Sequence, residues 1–139
     1  MAAAAARRAS VGDLAAIEET LQDLAQAADS PSFRSADRRF HQRVAQASGN
    51  SVLVAMVDSL WAQMFTPIFE RLGRRTGLLP ERRDLARDEH MAIVAAIGAH
   101  DPEAARRAMG RHLGNVEAIL TGERGDEIVR QGALAEASR

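Results

Sequence analysis

Asp37 and His41 stand four residues apart in a stretch of helical periodicity, so both side chains leave one helix face, which Val44 and Ser48 extend and Phe40 borders. A carboxylate and an imidazole so placed can share a hydrogen bond or a metal ion. His90 falls on the stripe of Ile93, Val94 and Ile97, and His112 on that of Ala105, Ala108, Met109, Val116 and Ile119. A polar ring in the middle of an apolar stripe needs a partner, because burying it unbonded is costly. A single such histidine is commonly a core residue bonded to a carbonyl. Three inward-facing imidazoles on three helices, joined by a carboxylate at i, i+4, point instead to a shared divalent ion that satisfies all four groups at once. The chain has no cysteine, so any ion must be held by nitrogen and oxygen. Three imidazoles and one carboxylate suit zinc first, and also nickel, manganese, cobalt or iron, and leave one or two positions open for a ligand. Asn115, one turn beyond His112, would orient a metal-bound water or an effector oxygen, or else lie exposed at the stripe's edge.

The elements that must carry these residues are helical. Ala, Leu, Arg and Glu dominate long segments of period 3.6, Tyr is absent and alternation is scarce, so the fold class is all-α, an antiparallel bundle of about six helices. Ser10 and Asp13 mark the start of a helix running to about Ala28, with Leu14, Ile17, Leu21 and Leu24 as its stripe. Pro31 reads as part of a break, after which a second helix spans about Ser35 to Ser48 and stops at Gly49. Asn50 or Ser51 caps a third, with Leu53, Met56, Val57, Leu60 and Met64 as its stripe and Pro67 as a kink. A connection from Gly73 to Pro80 leads to a fourth helix, about Glu81 to Ala99. The Asp101-Pro102 pair starts a fifth that reaches about Leu120. Ala2 to Ala6 resemble the end of a preceding helix, since no cap stands before them. The organisation expected is a helical remnant at 1–8, one domain at 9–121, and a polar tail at 122–139 in which Ile128, Val129 and Leu134 form at most a short helix.

Composition narrows the function classes. With 139 residues, 46% hydrophobic and 27% charged, the chain is sized for one soluble domain with a real core. The net charge of -1 argues against a domain that grips nucleic acid by itself. No apolar run approaches a bilayer span and no signal peptide is recognisable, so the expected location is cytoplasmic.

Three segments carry a family resemblance. DRRFHQRVAQASGN, Asp37 to Asn50, resembles the D-x-x-F-H signature of the FadR C-terminal domain family, the effector-binding half of GntR-type bacterial transcription regulators. DEHMAIVAAIGAHDPEAARRAM and MGRHLGNV resemble that family's later E-H and M-x-x-H motifs, in the family's order. Together these fall between Asp37 and Val116, a span of more than half of the chain. The resemblance implies an antiparallel helical bundle following a winged helix-turn-helix, with a metal held by Asp37, His41, His90 and His112 that helps bind a small carboxylate effector. It implies a homodimer, with DNA bound only through a winged-helix domain that is missing here. Members often carry an effector-pairing arginine in the third helix. Gln63, Met64 and Phe65 fill that stretch here, leaving Arg71 as the substitute and Leu60 and Met64 as pocket lining, together with Phe40, Met56 and Val116.

Two other readings compete. His100-Asp101, with histidines on other helices, suggests an HD-type metal phosphohydrolase, although Asp101 before Pro102 is better used as a helix cap and His100 as a solvated turn residue. A second enzymatic version takes Asp88 or Glu89 as general base on metal-bound water, yet both are displaced around the helix from His90 and should face solvent. The remaining alternative is a metal-free helical dimerisation module.

Overall fold

The computed structural model describes residues 1–64 and 83–121. Six helices occupy them: α1 (Ala2–Arg8), α2 (Val11–Gln26), α3 (Ser30–Ala47), α4 (Ser51–Met64), α5 (Arg83–Gly98) and α6 (Pro102–Leu120). No strand occurs among the described residues, so the all-α expectation holds. Helix α2 packs on α3 and α5, α3 on α4, α5 on α6, and α1 lies across α3, α5 and α6. Neighbours in contact and joined by three residues, as α2 and α3, α3 and α4, and α5 and α6 are, must reverse direction. No helix among the described residues is long and apolar enough to cross a membrane. The expected Pro67 kink, the Gly73–Pro80 connection, Arg71 and the tail at 122–139 lie outside the described residues.

Local chemistry accounts for the boundaries. Ser10 and Asp13 form a reciprocal capping box, the serine hydroxyl accepting from Asp13 N at 3.1 Å and the aspartate accepting from Ser10 N at 2.9 Å. Helix α3 begins at Ser30 rather than Ser35. Pro31 falls in its first turn, where a missing N–H costs nothing, and Asp29 caps it with a second box that closes on Ser32. The proline read as a break is therefore a start. Gly49 takes the left-handed conformation that closes α3 (φ 66°), and the Oδ1 of Asn50 then caps α4 by accepting from Val52 N at 3.0 Å.

The α5–α6 corner is a Schellman turn with His100, not glycine, in the left-handed position (φ 52°). Asp101 N donates to Ala96 O and His100 N to Ile97 O, both at 3.0 Å. Asp101 at once caps α6, its Oδ1 accepting from Glu103 N and Ala104 N.

The core sits between α1, α2, α3, α5 and α6, built on Ile17, Leu24, Phe40, Val44, Ile93, Ile97 and Met109. Ala2, Ala5 and Ala6 of α1 are buried within it, their small side chains letting a seven-residue helix approach its neighbours closely.

Helix α4 is phased differently from expectation. Met56 and Leu60 are 56% and 64% exposed, whereas Trp61 is buried and Leu53, Val54 and Val57 are half-buried. Apolar residues occupy most of its circumference, so periodicity alone could not choose a face. The Trp61 indole and a hydrogen bond from Gln42 to Asp58 select it.

Candidate metal centre

The four predicted ligands come from three helices and meet in the core. Asp37 and His41 leave the inner face of α3, His90 comes from the middle of α5 and His112 from the second half of α6. The three imidazoles are buried, and Asp37 keeps 21% of its side chain exposed. One donor atom from each of the four can be chosen so that all lie within 4.8 Å of one another.

The spacing and the hydrogen-bond inventory test whether an ion fits. Asp37 Oδ1 is 3.2 Å from His90 Nε2 and 3.5 Å from His41 Nε2, while His41 Nε2 and His112 Nε2 are 3.3 Å apart. Ligands about 2.0 to 2.2 Å from a shared centre stand at about such separations. His90 is fully buried and neither of its ring nitrogens has a hydrogen-bond partner among the described residues. Asp37 Oδ1 is likewise unbonded. The contact between them is close without the alignment of a hydrogen bond. Orphaned polar atoms of this kind cost about 1–3 kcal/mol each. A cation placed between the donors would engage Asp37 Oδ1 and the Nε2 atoms together, so the residues present fit a divalent metal.

Electrostatics agree. Burial pushes the Asp37 carboxyl upward, but its contacts with His41 and His90, and their charges, outweigh that and hold it well below the ordinary carboxylate range. Burial and the charge of His90 lower His112, against the opposing pull of its bond to Glu89, and so favour the neutral imidazole a metal requires.

Aromatic rings wall the cluster. Phe40 lies with its centroid 4.2 Å from that of His90, His90 and His112 are 4.5 Å apart, and Trp61 covers His41 at 5.8 Å. Phe40 was expected here. Trp61 was not, because the apolar pattern of α4 pointed to Leu60, which the structure turns outward. Leu60 and Met56 therefore do not line the centre, Val116 is half-buried beside His112's stripe, and the side chain of Met64 lies outside the described residues, as does Arg71.

Glu89 is the second residue missed. Expected to face solvent with Asp88, it is only 14% exposed and accepts a 2.9 Å hydrogen bond from His112 Nδ1. Asp88 is exposed. Glu89's position, about 100° around α5 from His90, is not the solvent side but the groove where α6 packs against α5. The sequence offers only a carboxylate adjoining a ligand histidine, and which side α6 packs on decides whether it meets solvent or a neighbour. Asn115 lies beside Glu89, its amide donating to the other oxygen of that carboxylate.

His100 and Asp101 do not join the cluster. His100 is exposed, but its Nδ1 bonds the carbonyl of Ala6 at 2.9 Å and ties the α5–α6 corner to α1. With Asp101 serving as a cap, the adjacent His-Asp pair that a phosphohydrolase needs at its ion is used elsewhere.

Similarity to known proteins agrees with the motifs. The model of the FCD domain matches residues 1–115, a span that includes α1 and all four candidate ligands. The chain is 32% identical over 132 residues to the Exu regulon transcriptional regulator of Escherichia coli K12, covering 85% of this chain and 49% of that protein. It is 33% identical over 117 residues to the putative L-lactate dehydrogenase operon regulatory protein of the same organism, covering 84% and 44%. With LutR of Bacillus subtilis it shares 30% identity over 125 residues, covering 88% and 56%. The chain thus spans about half the length of the curated relatives it matches. Among solved structures, Escherichia coli McbR/YncC superposes with a TM-score of 0.72 at 23% identity, over 88% of this chain and 61% of that one, which establishes a common fold.

Proposed function

The chain belongs to the FCD domain family of GntR-type transcription regulators, and from that premise we propose that it is a ligand-sensing domain that holds a divalent metal and, on it, a small carboxylate effector. The observation that carries this reading is the buried convergence of Asp37, His41, His90 and His112, with donor atoms facing one another and with Asp37 Oδ1 and both nitrogens of His90 unbonded. When bound, the ion supplies a Lewis-acidic coordination position for an anionic oxygen. Asp37 would hold it from the partly open side of the cluster, the three imidazoles from the core, and Phe40 and Trp61 would keep water from their flank.

An effector carboxylate is the expected occupant because one carboxylate ligand leaves a divalent ion with about one unit of positive charge in its own ligand sphere. Glu89 behind His112 brings the wider site to about neutrality. Direct coordination, not a diffuse positive field, must therefore attract the effector. Relatives bearing names such as the L-lactate dehydrogenase operon regulatory protein make a hydroxy acid the first to test.

Control of transcription would pass to DNA through a winged-helix domain separate from these residues, in the cytoplasm. Regulators of that type read two half-sites, so the working unit is a homodimer. Val52, Met56 and Leu60, exposed on one face of α4 at successive i, i+4 positions, are the surface offered for a second copy.

Elemental analysis of the purified chain, followed by thermal unfolding of metal-loaded and metal-stripped protein with lactate, malate, citrate, gluconate or short fatty acids, tests the reading. About one divalent ion per chain, and a carboxylate stabilisation confined to the loaded form, are expected. A chain that binds no divalent ion would instead be a helical dimerisation module whose His41 and His112 simply share a hydrogen bond.

A further inference from the structure

We infer that Glu89 is a positioning residue: its carboxylate locks His112 in the Nδ1–H tautomer, aims Nε2 at the cluster, and is itself held by Asn115. The inference rests on the metal reading above for its consequence, though not for its geometry.

The tautomer follows from donor and acceptor chemistry. An ionised carboxylate only accepts, so at 2.9 Å from Glu89 Oε2 the proton must sit on His112 Nδ1. In the neutral ring Nε2 is then a bare lone pair, and it points to within 3.3 Å of His41 Nε2. A bare imidazole nitrogen buried in the core among other donors is what a metal ligand requires. The carboxylate also makes the ring a stronger electron donor at Nε2.

Glu89 is fixed in turn. Its second oxygen accepts from the Asn115 amide one turn beyond His112, so α6 presents an imidazole and an amide, three residues apart, to the two oxygens of one carboxylate on α5. Rotation of the carboxylate would break both bonds. The ring of His112 is therefore oriented by a fork spanning two helices. His41 and His90 have no comparable carboxylate at Nδ1 among the described residues, and so His112 is the ligand most dependent on a neighbour.

The test uses the full chain and three variants, Glu89→Ala, Glu89→Gln and Asn115→Ala, each checked for wild-type helicity. Nitrogen-15 NMR of the metal-free protein reads the His112 tautomer, and Co(II) titration, followed through its visible absorption, reads affinity. Glu89→Ala should release His112 to a tautomer mixture and weaken Co(II) about 10- to 100-fold. Glu89→Gln can still accept from Nδ1–H through its amide oxygen while Asn115 flips its own amide, so it should keep the tautomer and most of the affinity. Asn115→Ala should fall between Glu89→Gln and Glu89→Ala. A locked tautomer in Glu89→Ala, or unchanged Co(II) affinity in that variant, overturns the assignment. A wild-type chain that takes up no Co(II) overturns the metal reading and the affinity half of this proposal together, while the tautomer measurement still decides the Glu89–His112 contact.

Discussion

His90 is the most exacting residue of the molecule: fully buried, tilted against Phe40 at 44°, and without a hydrogen bond at either nitrogen among the described residues. Its cost is tolerable if Nε2 ligates an ion. His90→Ala and His112→Ala should each abolish stoichiometric metal in the purified chain, whereas His100→Ala should leave metal content at the wild-type level, because His100 is spent on the carbonyl of Ala6. Elemental analysis of the three variants decides it, and metal retained in His90→Ala would contradict the ligand set. The pH dependence follows from His112. Its folded form resists protonation, since burial and His90's charge oppose a second cation, whereas in the unfolded chain it takes up a proton near its ordinary 6.5. Stability contributed there is complete above that pH and is lost as the pH falls through the imidazole range towards the lowered folded value. Asp37, also lowered, adds a loss of the same sign below its ordinary 3.8. Urea unfolding of the metal-free chain should therefore give a lower midpoint at pH 5.5 than at pH 7.5, with a smaller difference in His112→Gln.

Helices supply the precision, and most of them were legible. Amphipathic stripes on α5 and α6 placed His90 and His112 inward, and the i, i+4 pair on α3 placed Asp37 with His41, because each has one apolar face and the core has one inside. What could not be read was relative placement. Helix α4 is apolar around most of its girth, so its phase awaited Trp61 and the Gln42–Asp58 bond. Whether Glu89 met solvent or a neighbour depended on which side α6 packs, which is a tertiary fact. Pro31 was misread because a break and a first helical turn look alike until the Asp29–Ser32 box is seen. Gly49 was legible, and it carries a testable cost. At φ 66° an added Cβ would lie 3.0 Å from Arg8 Nη1, so Gly49→Ala must pay left-handed strain and displace that side chain. A loss of about 1–2 kcal/mol is expected from the backbone strain alone. Chemical denaturation measures it, and a neutral result would mean that the turn relaxes.

At the scale of the whole molecule, ion, effector and fold are coupled through one cluster that ties α3, α5 and α6 together. An ion bound only by the folded chain stabilises it by mass action, by about 2.7 kcal/mol at a free concentration one hundred times its dissociation constant. A carboxylate that coordinates the ion adds to this only when the ion is present. By linkage it must also raise metal affinity by the factor by which metal raises its own. Because Glu89 and Asp37 together offset the ion's charge, an anion gains little from the stripped site, where two carboxylates repel it. The melting temperature should therefore rise with metal, rise further with metal plus effector, and hold still or fall with effector alone. Trp61, the only tryptophan and 5.8 Å from the ring of His41, gives an independent reading, since Co(II) or Ni(II) at the cluster should quench its emission. Equal effector shifts in loaded and stripped protein, with Trp61 emission unmoved by the ion, would place the carboxylate elsewhere and separate sensing from the cluster altogether.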